Sequence, residues 1–165
     1  TITGMAMPIV LFPATFLTAV SGLLIPEFSR YYVKKDYIKI KKYSDKLIVG
    51  SFLFALFLTF LYIILGNKLG EIIYHDIQVG IYIKMFAPLI PFMYVDIVVD
   101  NILKGLDAQV NVLFINIIDL LVSISFIFFF VPVFGIKGFI ASIFASEILN
   151  FALSLKKLLD LEKSW

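Results

Sequence analysis

The sequence contains no cysteine, a single histidine and a single tryptophan in 165 residues. Without cysteine there is no disulfide framework, no thiolate metal site and no thiol nucleophile. One histidine leaves neither a histidine-based metal cluster nor a second catalytic imidazole. Charge is scarce as well: Asp, Glu, Lys and Arg make up 16% of the chain, against about 25% in an ordinary soluble domain. A net charge of +2 is too small to suggest a nucleic-acid partner. There is no glycine-rich phosphate loop, no Ser/His/Asp arrangement and no metal-ligand spacing, so the residues point away from an enzyme and name no cofactor.

What is present is apolar. Hydrophobic residues make up 61% of the chain, Phe alone occurs 18 times, and the mean hydropathy is +1.02. A compact domain of this size buries only about 70% of its surface, so this composition would leave large apolar patches in water. The expected solvent is therefore lipid. A helix needs about 20 apolar residues to cross a hydrocarbon core, and long Leu/Ile/Phe runs without period-2 alternation argue against a barrel. Five segments qualify: 4–25, 47–65, 85–103, 110–133 and 138–155. The fold class expected is an all-α polytopic membrane protein. The first two spans carry no charge, whereas the third holds Asp96 and Asp100, the fourth Asp119 and the fifth Glu147.

Orientation follows from lysine and arginine placement. Of the 14 basic residues, 11 fall on the side of segment 26–46, and only Lys68, Lys84 and Lys137 fall on the other. That asymmetry puts segment 26–46 and the C-terminus in the cytoplasm and the start of the chain outside. Because the sequence opens on Thr1 with no signal peptide, the expectation is a fragment whose preceding spans are missing. Within 26–46, Asp36 reads as an N-cap, followed by Tyr37, Ile40, Tyr43 and Leu47 at helical spacing among lysines. The segment is expected to be a basic amphipathic surface helix, with Arg30, Lys34, Lys35, Lys39, Lys41 and Lys42 as contacts for anionic lipid or for an anionic cargo head group.

A charged group at the bilayer centre costs several kcal/mol, so intramembrane acids face a protein interior or a wet cavity. Asp96, Asp100 and Lys104 stack at spacings of four, in the order that favours an Asp100–Lys104 pair. Asn116, Asp119 and Ser123 repeat the pattern on the fourth span, and Ser142, Ser146, Asn150 and Ser154 line the fifth beside Glu147. The small and hydroxyl residues read best as helix–helix glue, and the acids as lining of a polar cavity. Pro8 and Pro13 in the first span and Pro88 and Pro91 in the third are expected to bend or break their helices. GNKLG at 66–70 has small-xxx-small spacing but falls in an expected exposed loop, where it has no evident role. His75, beside Asp76, reads as a solvated surface residue.

Several stretches resemble one family. GMAMPIVLFPAT at 4–15 running to LIPEFSR at 24–30, APLIPFMY at 87–94, ILKGLDAQ at 102–109 and VPVFGIKG at 131–138 are similar, in order and spacing, to the multidrug/oligosaccharidyl-lipid/polysaccharide (MOP) flippase superfamily. The likeness is to its polysaccharide-export and sporulation protein B branch. The resemblance implies most of one six-helix lobe of a two-lobed, MATE-like transporter, working by alternating access on a lipid-linked saccharide. It implies a partner too, the missing N-terminal lobe, alongside membrane lipid. None of the family's ion-binding acids carries over to this chain; on physical grounds Asp96, Asp100 and Asp119 are expected to pair with basic groups, such as Lys104 or residues of the missing lobe, or to carry a coupling H+ or Na+. Asp107 stands where that family commonly has glycine. Two rival readings remain, a cation-coupled multidrug exporter of the same superfamily and a non-transporting scaffold of an envelope-synthesis complex. A membrane glycosyltransferase or acyltransferase would have only His75 and Asp76 to work with.

Overall fold

The computed structural model describes residues 2–164, and the chain is 93% helical. Among the described residues seven α-helices follow one another: α1 (Ile2–Leu23), α2 (Ile25–Val33), α3 (Tyr37–Tyr74), α4 (Ile77–Phe86), α5 (Ile90–Gly105), α6 (Gln109–Phe134) and α7 (Ile136–Lys163). A 3-10 turn at Ala87–Leu89 joins α4 to α5. Together they make five units long and apolar enough to cross a membrane: Gly4–Val33, Tyr37–Tyr74, Ile77–Gly105, Gln109–Phe134 and Ile136–Lys163.

The basic stretch departs from the expected separate surface helix. It divides at a turn over 34–36, where Lys35 takes a left-handed φ of 55° and the Asp36 amide donates to the Tyr31 carbonyl. Asp36 caps α3 as expected, its carboxylate accepting from the Lys39 amide at 3.3 Å. From there α3 runs unbroken into the span, because residues 37–74 contain no proline to stop it. At 1.5 Å per residue its 38 residues extend about 57 Å, so its ends stand beyond a hydrocarbon core of about 30 Å.

The prolines act differently in the two helices that carry them. Of the bend or break expected at each proline pair, α1 shows no break and remains one helix through Pro8 and Pro13, whereas the third unit is interrupted at Pro88 and restarts at Ile90. In both, a hydroxyl from α3 meets a carbonyl that a proline frees. Pro13 has no N–H for the Ile9 carbonyl four residues earlier, and the Tyr62 hydroxyl donates to that oxygen at 2.9 Å. Tyr94 donates to the adjacent Val10 carbonyl at 2.6 Å. Pro91 likewise frees the Ala87 carbonyl, which the Ile90 amide meets in 3-10 fashion and the Thr59 hydroxyl approaches at 3.2 Å. Backbone breaks in lipid are tolerated where neighbouring helices supply such donors.

The α4–α5 unit is the centre of the bundle. Between them its two helices pack against α1, α2, α3, α6 and α7, and Ile83, Phe86, Ile90, Tyr94 and Ile102 form the middle of the core. Gly66 and Gly70 are not in an exposed loop: both are buried in the last turns of α3, against Gly80 of α4. A Cβ on Gly70 would strike the Gly80 backbone, and one on Gly80 would lie 2.5 Å from the Asn67 Cα. GNKLG is therefore a helix-contact motif, which lets the two backbones touch. α6 is peripheral. It packs on α7 and, over a shorter stretch, on α5, and only Val112 and Ile115 along it are buried.

Candidate functional site

α5 and α7 run parallel, one unit apart in the sequence, and present polar residues to each other in step. The Asn150 side-chain amide donates to Asp96 Oδ2 at 2.8 Å, and the Ser154 hydroxyl donates to Asp100 Oδ1 at 3.1 Å. Both pairs are separated by 54 residues, so the spacing of four on α5 meets the same spacing on α7 as two successive rungs. Asp96 is 6% exposed and Asn150 9%, whereas Asp100 is half-buried.

The ladder does not satisfy its own members. Asp96 Oδ1 and Asn150 Oδ1 are buried without a hydrogen-bond partner, and so is Asp119 Oδ1 on α6. Glu147, one turn before Asn150, lies within electrostatic range of Asp96, Asp119 and Asp100. Four carboxyl groups from three helices thus share one region of the bundle. Lys104 is the base within range of Asp96 and Asp100, but it is exposed at the end of α5. The expected Asp100–Lys104 ion pair is not formed; among the described residues the ion pairs are Lys39–Asp36 at 2.8 Å and Lys41–Glu162 at 4.0 Å. No three of the described His, Asp and Glu residues converge as a metal-binding group.

Of the other sequence candidates, Asn116 is exposed on α6 and its side chain makes no hydrogen bond among the described residues, so the stripe expected on the fourth span reaches this region through Asp119. Ser142 and Ser146 are buried on α7, and the Ser142 hydroxyl is turned back to the Phe139 carbonyl. His75 is exposed and ends α3 in a left-handed conformation. Arg30, Lys34, Lys35, Lys39, Lys41 and Lys42 are all exposed. Lys39 is nevertheless engaged within the chain, by Asp36 and by the Tyr31 ring at 5.6 Å.

Composition and spacing miss a second polar seam, between α5 and α1. Asn101 donates to Ser21 Oγ at 2.7 Å, Ser21 in turn donates to the Leu17 carbonyl, and Tyr94 reaches Val10 one helical stretch away. Asn101 was visible as the neighbour of Asp100, but its helical face is a different one. Tyr62, Tyr94 and Thr59 could have been found by asking which donor meets the carbonyl four residues before each proline.

Comparison with family models, with curated proteins and with solved structures finds no match to this chain.

Proposed function

We propose that the chain forms part of a transmembrane flippase that moves lipid-linked oligosaccharide or polysaccharide precursors across a cytoplasmic membrane by alternating access. The observation that carries this reading is the acid group on α5, α6 and α7. A buried carboxylate with an unpartnered oxygen is costly and is retained where it takes up a proton, a cation, water or a partner's base during function. Asp96 and Asp119 each hold such an oxygen. Two further features support it. The third unit is broken by Pro88 and Pro91 at the level from which the acid-bearing helix α5 departs, as in transporter helices that bend around a cargo path. The motifs that resemble the saccharide-exporting flippases also run the length of the chain in order. In this reading the acids serve coupling, and cargo phosphates are met elsewhere, since carboxylates repel them.

The test uses the protein that contains this segment, reconstituted in vesicles with a fluorescent lipid-linked oligosaccharide. Asp96→Asn, Asp100→Asn and Asp119→Asn should each slow translocation by about tenfold or more, the equivalent of one lost charged interaction, with membrane insertion unchanged. Unaltered rates in all three variants overturn the proposal. A second reading is favoured by four acids in one region with none of them in an ion pair among the described residues: a cation-coupled exporter of cationic amphiphiles, recognised by uptake of a cationic dye in the same vesicles. A scaffold role is favoured instead by the Asn150–Asp96 and Ser154–Asp100 bonds as polar glue, and would show as a stable partner covering α6 on purification.

A further inference from the structure

A cavity of about 650 Å³ lies away from the acid group, where the α2–α3 turn meets the α5–α6 turn at the lysine-rich end of the bundle. That volume falls within the range of about 300–1,000 Å³ usual for small-ligand sites. Lys35 projects from the first turn and Lys104 from the last helical turn of α5, and Tyr32, Gln109, Asp107 and Ser29 complete the polar wall. The side chains of Lys35, Lys104, Tyr32 and Gln109 make no hydrogen bond or ion pair among the described residues. Ser29 fixes the relation between the two turns, its hydroxyl donating to the Gly105 carbonyl at 3.0 Å, and a Cβ at Gly105 would lie 2.6 Å from the Phe28 Cβ. Both turns also hold a non-glycine residue in the left-handed region: Lys35 at φ 55° and Asp107 at φ 60°. Each sits just past a helix end, in the left-handed position that commonly closes a helix, with Asp36 N–H bonding Tyr31 O after α2 and Ala108 N–H bonding Leu103 O after α5.

We infer that this cavity binds the phosphodiester head group of an anionic phospholipid at the end of the membrane spans. Among the lining residues, two ammonium groups and one carboxylate leave a single positive charge, which complements a monoanionic phosphodiester; Asp96 and Asp100, within electrostatic range of Lys104, lie outside the lining. Tyr32 and Gln109 add neutral donors for its oxygens, and Asp107 can accept from a head-group hydroxyl. Ile25 and Val33 supply an apolar edge on the same cavity, suited to the start of the acyl chains. The site is distinct from the acid group, and its occupancy does not depend on the transport reading.

Native mass spectrometry of the detergent-solubilised protein containing this segment, titrated with short-chain phosphatidylglycerol, tests the site. A Lys35→Gln/Lys104→Gln variant should lose affinity by about tenfold or more, whereas Lys156→Gln/Lys163→Gln, which removes the same charge from exposed lysines outside the cavity, should lose less than about twofold. Asp107→Asn should strengthen binding, which guards against a loss caused by misfolding. A parallel titration with water-soluble glycerophosphoglycerol separates the sources: retention of the lipid alone assigns a lipid-borne head group, and equal retention of both assigns a free phosphodiester. Equal losses in the two double lysine variants, or no loss in the first, overturn the inference.

Discussion

Tyr62 and Pro13 are tied by a bond that neither residue's own helix explains. The Ile9 carbonyl lacks a partner only because position 13 has no N–H, and Tyr62 meets it from α3. A double-mutant cycle isolates this dependence. Tyr62→Phe should lower the unfolding free energy in detergent by about 0.6–2 kcal/mol, the range between average interhelical bonds in membranes and an unsatisfied buried carbonyl. In a Pro13→Ala background the alanine's own amide takes over the carbonyl, and the same substitution should cost close to nothing. Equal costs in both backgrounds would show the hydroxyl to be incidental. The prolines themselves were plain in the sequence. Their partners were not, because Tyr62 lies 53 residues from Ile9 and Tyr94 lies 84 from Val10, and nothing local marks either tyrosine as a donor.

Helices α3 and α4 meet through glycine, and the contact sets what each glycine tolerates. Gly70→Ala pushes a methyl into the Gly80 backbone and should destabilise the protein by about 1–3 kcal/mol, as overpacking does. Gly50→Ala lies on the same helix with nothing within 4 Å of the added carbon, and it should stabilise by up to about 1 kcal/mol through helix propensity. Thermal unfolding of the two variants in one detergent compares them directly. At the end of α3, His75 occupies a left-handed C-cap with φ 52°, which costs an ordinary residue about 1–2 kcal/mol. His75→Gly should therefore raise stability, with unchanged or lower stability overturning the assignment of the cap as strained. The spacing of Gly66 and Gly70 was visible in the sequence, but its meaning depended on where α3 ends. An expected span closing near residue 65 left both glycines outside it, whereas the observed helix continues to Tyr74.

Across the whole molecule the central α4–α5 unit touches every other helix, while α6 rests mainly on α7. Amide exchange in detergent should follow that order, slowest over residues 90–105 and fastest among the helix interiors over 109–134, because opening α6 disrupts the fewest contacts. Uniform protection of all five units would contradict this hierarchy. Composition alone determined that the chain is all-helical with five units long and apolar enough to span a membrane, since lipid leaves a backbone with so few polar side chains no option but to satisfy its own hydrogen bonds. Spacing alone put Asp96 and Asp100 on one face of a helix, and Asn150 and Ser154 on one face of another. That those faces meet rung against rung, that Lys104 stands away from them, that Asp119 and Glu147 come from two further positions to the same region, and that Lys35 and Lys104 share a cavity were decided by tertiary packing. The reason is physical: helical periodicity fixes which residues share a face, but the partner of that face is chosen by close approach and shape between helices far apart in sequence, a choice no local pattern encodes.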